Sequence, residues 1–214
     1  MNGTENSVEI SGFLQTCSFL KTDDSEGVVR LLIYTAHPFA GESSDAAHTA
    51  RIPHIALGKV KDLAFSRLSS LADRNLPSEN ILVPCSVLGR LSEKDGSYYI
   101  KFGKNGFRFE DKLAFSENNR VKIVGEVTNI VSGERANYIE FSTGDGSKPF
   151  RLDMRMFDLS KAAELSIGDS ILVDGVMLNR FVSNGDRTVL SSVIAPTRLQ
   201  KNNISARETR SRKL

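Results

Sequence analysis

The 214-residue sequence has no tryptophan, two cysteines and a formal net charge of only +2. No apolar run approaches the roughly 18 residues that a membrane-spanning helix needs. Residues 1–12 show neither the basic nor the apolar segment of a secretory signal peptide, so we expect an intracellular protein without a membrane partner. Cys17 and Cys85 by themselves make neither a disulfide framework nor a metal site.

The sequence also lacks the motifs of the common enzyme classes. His37, His48 and His54 do not have the spacing of metal ligands. There is no nucleophile elbow, no phosphate-binding loop and no aspartate-rich metal motif. We therefore expect a protein that is not an enzyme and that needs no metal and no cofactor.

Charge is distributed unevenly along the chain. Residues 1–112 carry 13 basic and 14 acidic side chains, and residues 113–200 carry 10 and 11. The last fourteen residues carry five basic side chains against Glu208 alone. This polar, basic end is either an electrostatic arm for nucleic acid or an acidic partner, or a solvated terminus without a role.

Short apolar segments separated by turn residues predict a protein made mostly of strands. Asp145-Gly146 and Asn184-Gly185 supply hairpin turns in the second half. Its predicted elements are strands over 121–127, 137–142 and 150–157, a helix over 159–165, and strands over 171–178 and 188–194.

The first half repeats this order. Its predicted elements are strands over 8–20, 28–35 and 50–57, a helix over 59–74, and strands over 81–91 and 97–102. A shift of 90 residues places Ile81-Leu82-Val83 on Ile171-Leu172-Val173 and Arg90 on Arg180. The matching order and turns indicate an internal duplication.

Five strands with a helix between the third and the fourth is the order of the OB-fold, a small and partly open barrel. We predict an all-β protein of two tandem OB-folds. The expected organisation is a disordered start at 1–7, OB-fold 1 at 8–102, a connecting segment at 103–119, OB-fold 2 at 120–199 and a basic disordered tail at 200–214.

The first copy resembles a known family. Residues 51–59, RIPHIALGK, precede a helix, and a strand then runs from Ile81-Leu82-Val83 to Gly89-Arg90-Leu91. This arrangement resembles the single-stranded-DNA-binding protein family, in which an apolar-Gly-Lys turn, a helix and a strand ending in Gly-Arg-Leu follow one another. The resemblance implies non-catalytic binding of single-stranded DNA. The basic tail departs from the acidic tip with which that family usually ends.

Alternation along the strands predicts which side chains point out of the barrels. Val29, Leu31 and Ile33 point inward, and so do Leu152, Met154 and Met156. Outward arginines neutralise phosphates, and outward aromatic rings stack on bases. The predicted nucleic-acid-binding residues are Arg30, Tyr34, Arg51, Lys59, Arg90, Tyr98, Lys101, Arg151, Arg155, Phe157 and Arg180.

Other readings of these residues stay open. Tyr98 and Tyr99 alternate, so one belongs to the core and the other to the surface. Residues 101–109 interleave basic and aromatic side chains, which suits either a binding loop or a linker that pins the barrels together. Ile55 and Leu57, on outward positions, favour a protein-docking surface.

Three functions therefore compete. The first is binding of single-stranded DNA with weak sequence preference, in replication, repair, recombination or mobile-element maintenance, in the cytoplasm or at the nucleoid. The second is a protein-interaction or assembly subunit that uses the OB-folds as docking platforms, with protein partners or a homo-oligomer. The third is RNA binding, which uses the same kind of surface and differs through contacts to the 2′-hydroxyl.

Overall fold

The computed structural model describes residues 5–22, 26–36, 51–72, 83–111, 115–132, 137–144, 148–154, 164–185 and 187–202. No helix in these ranges is long and apolar enough to cross a membrane. The elements are β1 Asn6–Thr22, β2 Glu26–Thr35, β3 Ile52–Lys61, α1 Asp62–Ala72, β4 Val83–Lys94, β5 Ser97–Phe102, β6 Phe107–Phe109, β7 Asn118–Val131, β8 Tyr138–Ser142, β9 Phe150–Asp153, β10 Ser170–Asn184 and β11 Arg187–Lys201.

The strands form two barrels of identical topology. In the first barrel the order is β1-β2-β3-β5-β4, and pairing of β4 with β1 closes it. In the second barrel the order is β7-β8-β9-β11-β10, and pairing of β10 with β7 closes it. In each barrel the third and fifth strands are parallel and the other pairs are antiparallel. The prediction of two tandem OB-folds is confirmed.

Each barrel encloses an apolar core that the strand alternation predicts. Val29, Leu31 and Ile33 are fully buried in the first barrel, as expected for the inward phase of β2. Leu152 and Met154 are buried in the second barrel. Because side chains along a strand point alternately to opposite faces, Arg30 and Leu32, which alternate with the buried residues of β2, lie on the outer side of the first barrel.

The internal duplication has a different register from the predicted one. A Cβ atom on Gly89 would overlap the carbonyl oxygen of Lys101, and one on Gly175 would overlap that of Ala195. Gly89 therefore corresponds to Gly175, 86 residues later rather than 90. Arg90 and Arg180 are not equivalent. The two shifts differ by four, an even number, so the wrong register still matches inward with inward positions.

Element boundaries differ from the predicted ones in several places. β1 begins at Asn6, because the Asn6 side-chain amide exchanges hydrogen bonds of 3.0 and 2.8 Å with the backbone of Leu91. β11 continues to Lys201, whose Nζ lies 2.8 Å from Asp169 Oδ1. β3 continues to Lys61, so the helix begins at Asp62.

Part of the predicted connecting segment belongs to the first barrel. β6 pairs with β4, and the Phe107 side chain is buried in contact with the Phe102 and Phe109 rings. The predicted strand over 150–157 is described only to Met154, and the helix over 159–165 lies outside the described residues except for its last two. Residues 1–4 and the tail from residue 203 also lie outside them.

In the described part of the chain, three pairs of strands bring the two barrels into contact. The first half of β1 pairs antiparallel with β7, from Asn6 opposite Ile123 to Ser11 opposite Asn118. β10 lies against β3, and β11 lies against β5. Between β11 and β5, Ser97 Oγ donates a hydrogen bond of 2.6 Å to the carbonyl of Leu190.

His54 lies fully buried where β10 crosses β3. Its Nδ1 is 3.3 Å from Asn179 Nδ2 and its Nε2 is 2.9 Å from Thr35 Oγ1. An amide nitrogen can only donate, so Nδ1 accepts and Nε2 carries the proton of the neutral ring. Burial lowers the pKa of His54 from 6.5 to about 3.

This burial makes stability depend on pH. Between pH 6.5 and about 3 the unfolded chain protonates His54 and the folded chain does not, so the free energy of unfolding falls as the pH falls. From pH 6.5 to pH 5 we expect a loss of about 2 kcal/mol, measured by urea unfolding at a series of pH values. His54→Gln replaces the imidazole with a side-chain amide that can hydrogen-bond but does not titrate, so it should flatten this dependence. An equal slope in the variant would contradict the assignment.

Candidate nucleic-acid interface

The outward face of the first barrel carries a row of cations. Along one row across the strands, Arg30 on β2 is opposite Leu57 on β3, Leu57 is opposite Lys101 on β5, and Lys101 is opposite Arg90 on β4. The side chains of the three cations are exposed. We call Arg30, Lys101 and Arg90 the cationic row. At about 4.8 Å per strand it spans about 14 Å.

An apolar row runs beside the cationic row. Leu32 is opposite Ile55, and Ile55 is opposite Tyr99 on β5. All three side chains are half-buried, and the ammonium of Lys101 lies 5.6 Å from the centre of the Tyr99 ring. We call Leu32, Ile55 and Tyr99 the apolar row. Cations beside apolar and aromatic surface can hold phosphates and bases at the same time.

The cations of this face have no carboxylate partners among the residues that the structure describes. Within the described ranges, no ion pair includes Arg30, Arg90, Lys101 or Arg180. Many carboxylates instead form ion pairs with other cations. These pairs are Glu5–Lys122, Glu26–Lys104, Glu110–Arg108, Glu117–Arg51, Glu140–Arg151, Asp95–Lys148, Asp169–Lys201 and Asp174–Arg120. The outward face is therefore basic although the charge of the whole chain is nearly balanced.

Lys59 extends this face along β3. It lies opposite Val28, one outward position beyond Leu57. Its side chain is exposed, and its charge helps to lower the pKa of Glu26, although the main cause of that shift is the hydrogen bond from Lys104. Lys59 is thus a further cation beside the cationic row, displaced from it along β3 toward α1.

Tyr98 does not point to this surface, which corrects the prediction that it binds nucleic acid. The side chain is 3% exposed, and its ring packs edge-to-face on Phe150 of the second barrel. Its hydroxyl accepts a hydrogen bond from the backbone N–H of Arg151, and burial raises its pKa to about 12. Tyr99, one residue later, takes the outward position instead.

Arg151 lies apart from the first barrel's face. It lines a separate cleft of about 260 Å³ that also contains Glu93 and Glu140. Its Nη2 is 2.9 Å from Glu140 Oε1, its guanidinium lies 4.3 Å from the centre of the Tyr138 ring, and the carboxylate raises its pKa. The predicted residues Arg155 and Phe157 lie outside the described residues.

A second cleft lies between the barrels, beside the first barrel's face. Tyr34 and Arg51 of the first barrel and Arg180 and Phe181 of the second line this cleft of about 470 Å³. Arg51 lies 3.6 Å from Glu117 and 5.0 Å from the centre of the Phe13 ring. Three residues predicted from separate parts of the sequence, Tyr34, Arg51 and Arg180, are thus brought together.

The basic and aromatic segment 101–109 is divided between two roles. Lys101 belongs to the cationic row, whereas Phe102 and Phe107 are buried in the first barrel. The ring of Phe109 contacts the guanidinium of Arg67 on α1 at 4.1 Å. The phenylalanines of this segment therefore fasten β6 and α1 to the first barrel.

Phe181 is the functional candidate that sequence reasoning missed. Its side chain is 46% exposed, and it borders a small pocket with Arg30, Leu32 and Ile55 of the first barrel. The signal in the sequence is the pair Arg180-Phe181 three residues before the Asn184-Gly185 turn, a basic-aromatic pair near a hairpin tip. Among the residues that the structure describes, no three His, Cys, Asp or Glu side chains form a group that could hold a metal ion.

Two solved structures share this architecture across nearly the whole chain. The wild-type single-stranded DNA binding protein from Thermus aquaticus superimposes with a TM-score of 0.60, at 16% sequence identity, over 94% of this chain and 94% of that one. A deletion variant of the same protein gives 0.59 at 16% identity, over 94% and 96%. No protein-family model matches the sequence, and no curated protein sequence matches it. The chain thus has the fold of a known single-stranded DNA binding protein, as the sequence resemblance implied.

Proposed function

We propose that this protein binds single-stranded DNA without catalysis and with weak sequence preference. The observation that carries the proposal is the first barrel's outward face, where the exposed cations of the cationic row lie beside the apolar row. Arg30, Lys101 and Arg90 would neutralise phosphates of a single strand and release the counterions bound to them. Unstacked bases would lie on Tyr99 and the aliphatic side chains, and every base offers a face for such contact.

The geometry favours a single strand over a duplex. Stacking on the apolar row requires bases whose faces are free, and in a duplex these faces are covered by neighbouring bases. Nothing in the row resembles an element shaped for the major groove, such as a protruding helix with base-reading side chains.

We also propose a preference for DNA over RNA, and a role inside the cell, in the cytoplasm or at the nucleoid, in replication, repair, recombination or mobile-element maintenance.

The test is fluorescence anisotropy with a labelled oligo-dT of about 30 nucleotides, against duplex DNA and RNA of matched length. We expect tight binding to the single strand that weakens with salt, with a slope of log K against log salt of about −4 if five or six phosphates are contacted. Duplex DNA should bind far more weakly.

Failure of this test would favour the alternative function. If no single strand binds even at about 50 mM salt, the proposal is wrong, and the half-buried Ile55 and Leu57 then mark the face as a protein-docking platform. Stronger binding of matched RNA than of oligo-dT would make RNA the ligand.

A further inference from the structure

The β10–β11 hairpin of the second barrel reaches beyond its own barrel wall. β10 pairs with β7 only from Ser170 to Gly175, and from there to its end it pairs with β11 alone. This outer half lies against β3 of the first barrel, where Asn179 Nδ2 donates a hydrogen bond of 2.9 Å to the carbonyl of Pro53. The contact is buried, so the hairpin is fixed to the first barrel.

The hairpin places an aromatic side chain over the first barrel's binding face. In the described part of the chain, Phe181 is the aromatic residue among the exposed large apolar side chains, at 46% exposure. It stands beside Arg30, Leu32 and Ile55, where the cationic row meets the apolar row. The ring thus adds an aromatic surface to apolar side chains that lie next to a cation, and this combination suits a base and its phosphate.

Next to Phe181 the hairpin completes the cleft between the barrels. Arg180 from the hairpin faces Tyr34 and Arg51 from the first barrel around a volume of about 470 Å³. That volume lies within the usual range of small-molecule sites and admits a nucleotide-sized group. Neither barrel alone contains both walls, so the cleft exists only because of the way the barrels pack.

We infer that Phe181 and Arg180 form a nucleotide seat that carries a single strand from the first barrel to the second. One base stacks on the Phe181 ring, and the phosphates on either side of it contact Arg30 and Arg180. The next nucleotide lies in the cleft against Tyr34 and Arg51. This inference rests on the proposed single-strand binding and assigns to the second barrel's hairpin a direct part in it.

The absence of tryptophan gives a direct test of contact at this seat. Phe181→Trp introduces a single tryptophan into the chain, and stacking of a base on the indole quenches its fluorescence. We expect strong quenching when oligo-dT of about 30 nucleotides is added, at the same concentration at which anisotropy reports binding. The matched control is Ile167→Trp, at a position that is 68% exposed in the turn before β10 and therefore near the opposite end of that strand from Phe181. Its fluorescence should change little.

Affinity measurements on further variants separate ring stacking from apolar bulk. Phe181→Ala and Phe181→Leu should each weaken oligo-dT binding by about tenfold, whereas Phe181→Tyr keeps a flat ring and should bind like the unmodified protein. Arg180→Ala should weaken binding, while Arg198→Ala, an equal loss of charge at the opposite end of the hairpin, should not. Thermal melting checks that each variant is folded.

The outcomes distinguish this inference from the proposed function. If oligo-dT binds but the tryptophan at the seat is not quenched and Phe181→Ala binds normally, the seat is wrong and single-strand binding stands. If oligo-dT does not bind the unmodified protein, single-strand binding fails and the seat fails with it. If Phe181→Leu binds as tightly as Phe181→Tyr, the side chain contributes only apolar bulk and the stacking assignment is overturned.

Discussion

Replacing Arg30, Lys101 and Arg90 together by alanine is expected to weaken binding of oligo-dT by about 100-fold at moderate salt. The three cations form one row with no carboxylate partner within the described ranges, so their charge is available to phosphates. Each lost contact costs on the order of 1 kcal/mol. The slope of log K against log salt should fall in magnitude by about 2, because each neutralised phosphate of a single strand contributes about 0.7. Anisotropy titrations over a range of salt concentrations measure both quantities.

The control for this experiment removes the same charge elsewhere. Lys148, Arg198 and Lys201 are exposed cations of the second barrel, and two of them are already paired with Asp95 and Asp169. Exposed ion pairs contribute little to stability, so this triple alanine variant should fold normally and bind within about threefold of the unmodified protein. Equal losses in both triple variants would mean that only the overall charge matters, and the cationic row would lose its assigned role.

Gly58→Ala is expected to destabilise the protein by about 3 kcal/mol. A Cβ atom at this position would overlap both the ring and the carbonyl oxygen of Phe102, which is its partner across the β3–β5 ladder. The Phe102 side chain is buried at 6% exposure, and its carbonyl belongs to the parallel strand pair, so neither group can withdraw without disturbing the barrel. Overpacking of this kind costs about 1–3 kcal/mol and more where the backbone must move. For a chain of this size the melting temperature should fall by about 10 °C.

A matched glycine variant isolates the steric cause. Gly103 follows β5 directly, and a Cβ atom there would have no heavy atom within 4 Å. Gly103→Ala should therefore change the melting temperature by no more than about 2 °C. If Gly58→Ala melts within about 2 °C of the unmodified protein, the close approach of β3 to β5 is not a constraint on the fold. The glycine at position 58 of β3 would then need another explanation.

The fold was predictable because short-range patterns carry it. Turn residues such as Asp95-Gly96 and strands with period-two alternation fix where the chain reverses and which residues enter the core. The order of elements then points to the OB-fold, which both barrels have. The ends of the elements were harder to predict. The third strand was expected to end at residue 57, but β3 continues to Lys61 because its ladder with β2 continues as far as Glu26.

The register of the duplication shows how such patterns mislead. The identical triplet Ile-Leu-Val occurs in both halves, 90 residues apart, but the β-ladders relate Cys85 to Ile171, since each pairs with the glycine of its own first strand. Side chains alternate with a period of two, so a shift by an even number of residues still matches inward with inward positions. Apolar strand sequences are also similar to one another, so the wrong match looks as good as the correct one. Only the pairing of strands, which depends on contacts distant in sequence, identifies the correct match.

The candidate site was predictable in its charges and in Tyr34, but not in Tyr99 and Phe181. Arg30, Lys101 and Arg90 were proposed individually, and the strand pairing places them in one row. The choice between Tyr98 and Tyr99 was open, because alternation states that adjacent residues face opposite sides without stating which side is covered. Packing of the second barrel decided it, since Phe150 and the backbone of Arg151 cover Tyr98.

By itself the sequence determined the strand order, the two barrels, their inward residues and the supply of outward cations, because each follows from local periodicity and turn chemistry. The tertiary structure decided what lies between the barrels. Phe181 has the same phase along β10 as the buried Met177 and Asn179, so alternation predicts a buried side chain. It is exposed because the hairpin has left its own barrel there and lies over the other one. Which surfaces meet is set by contacts such as that of Asn179 with Pro53, 126 residues apart, and no local pattern in the chain encodes them.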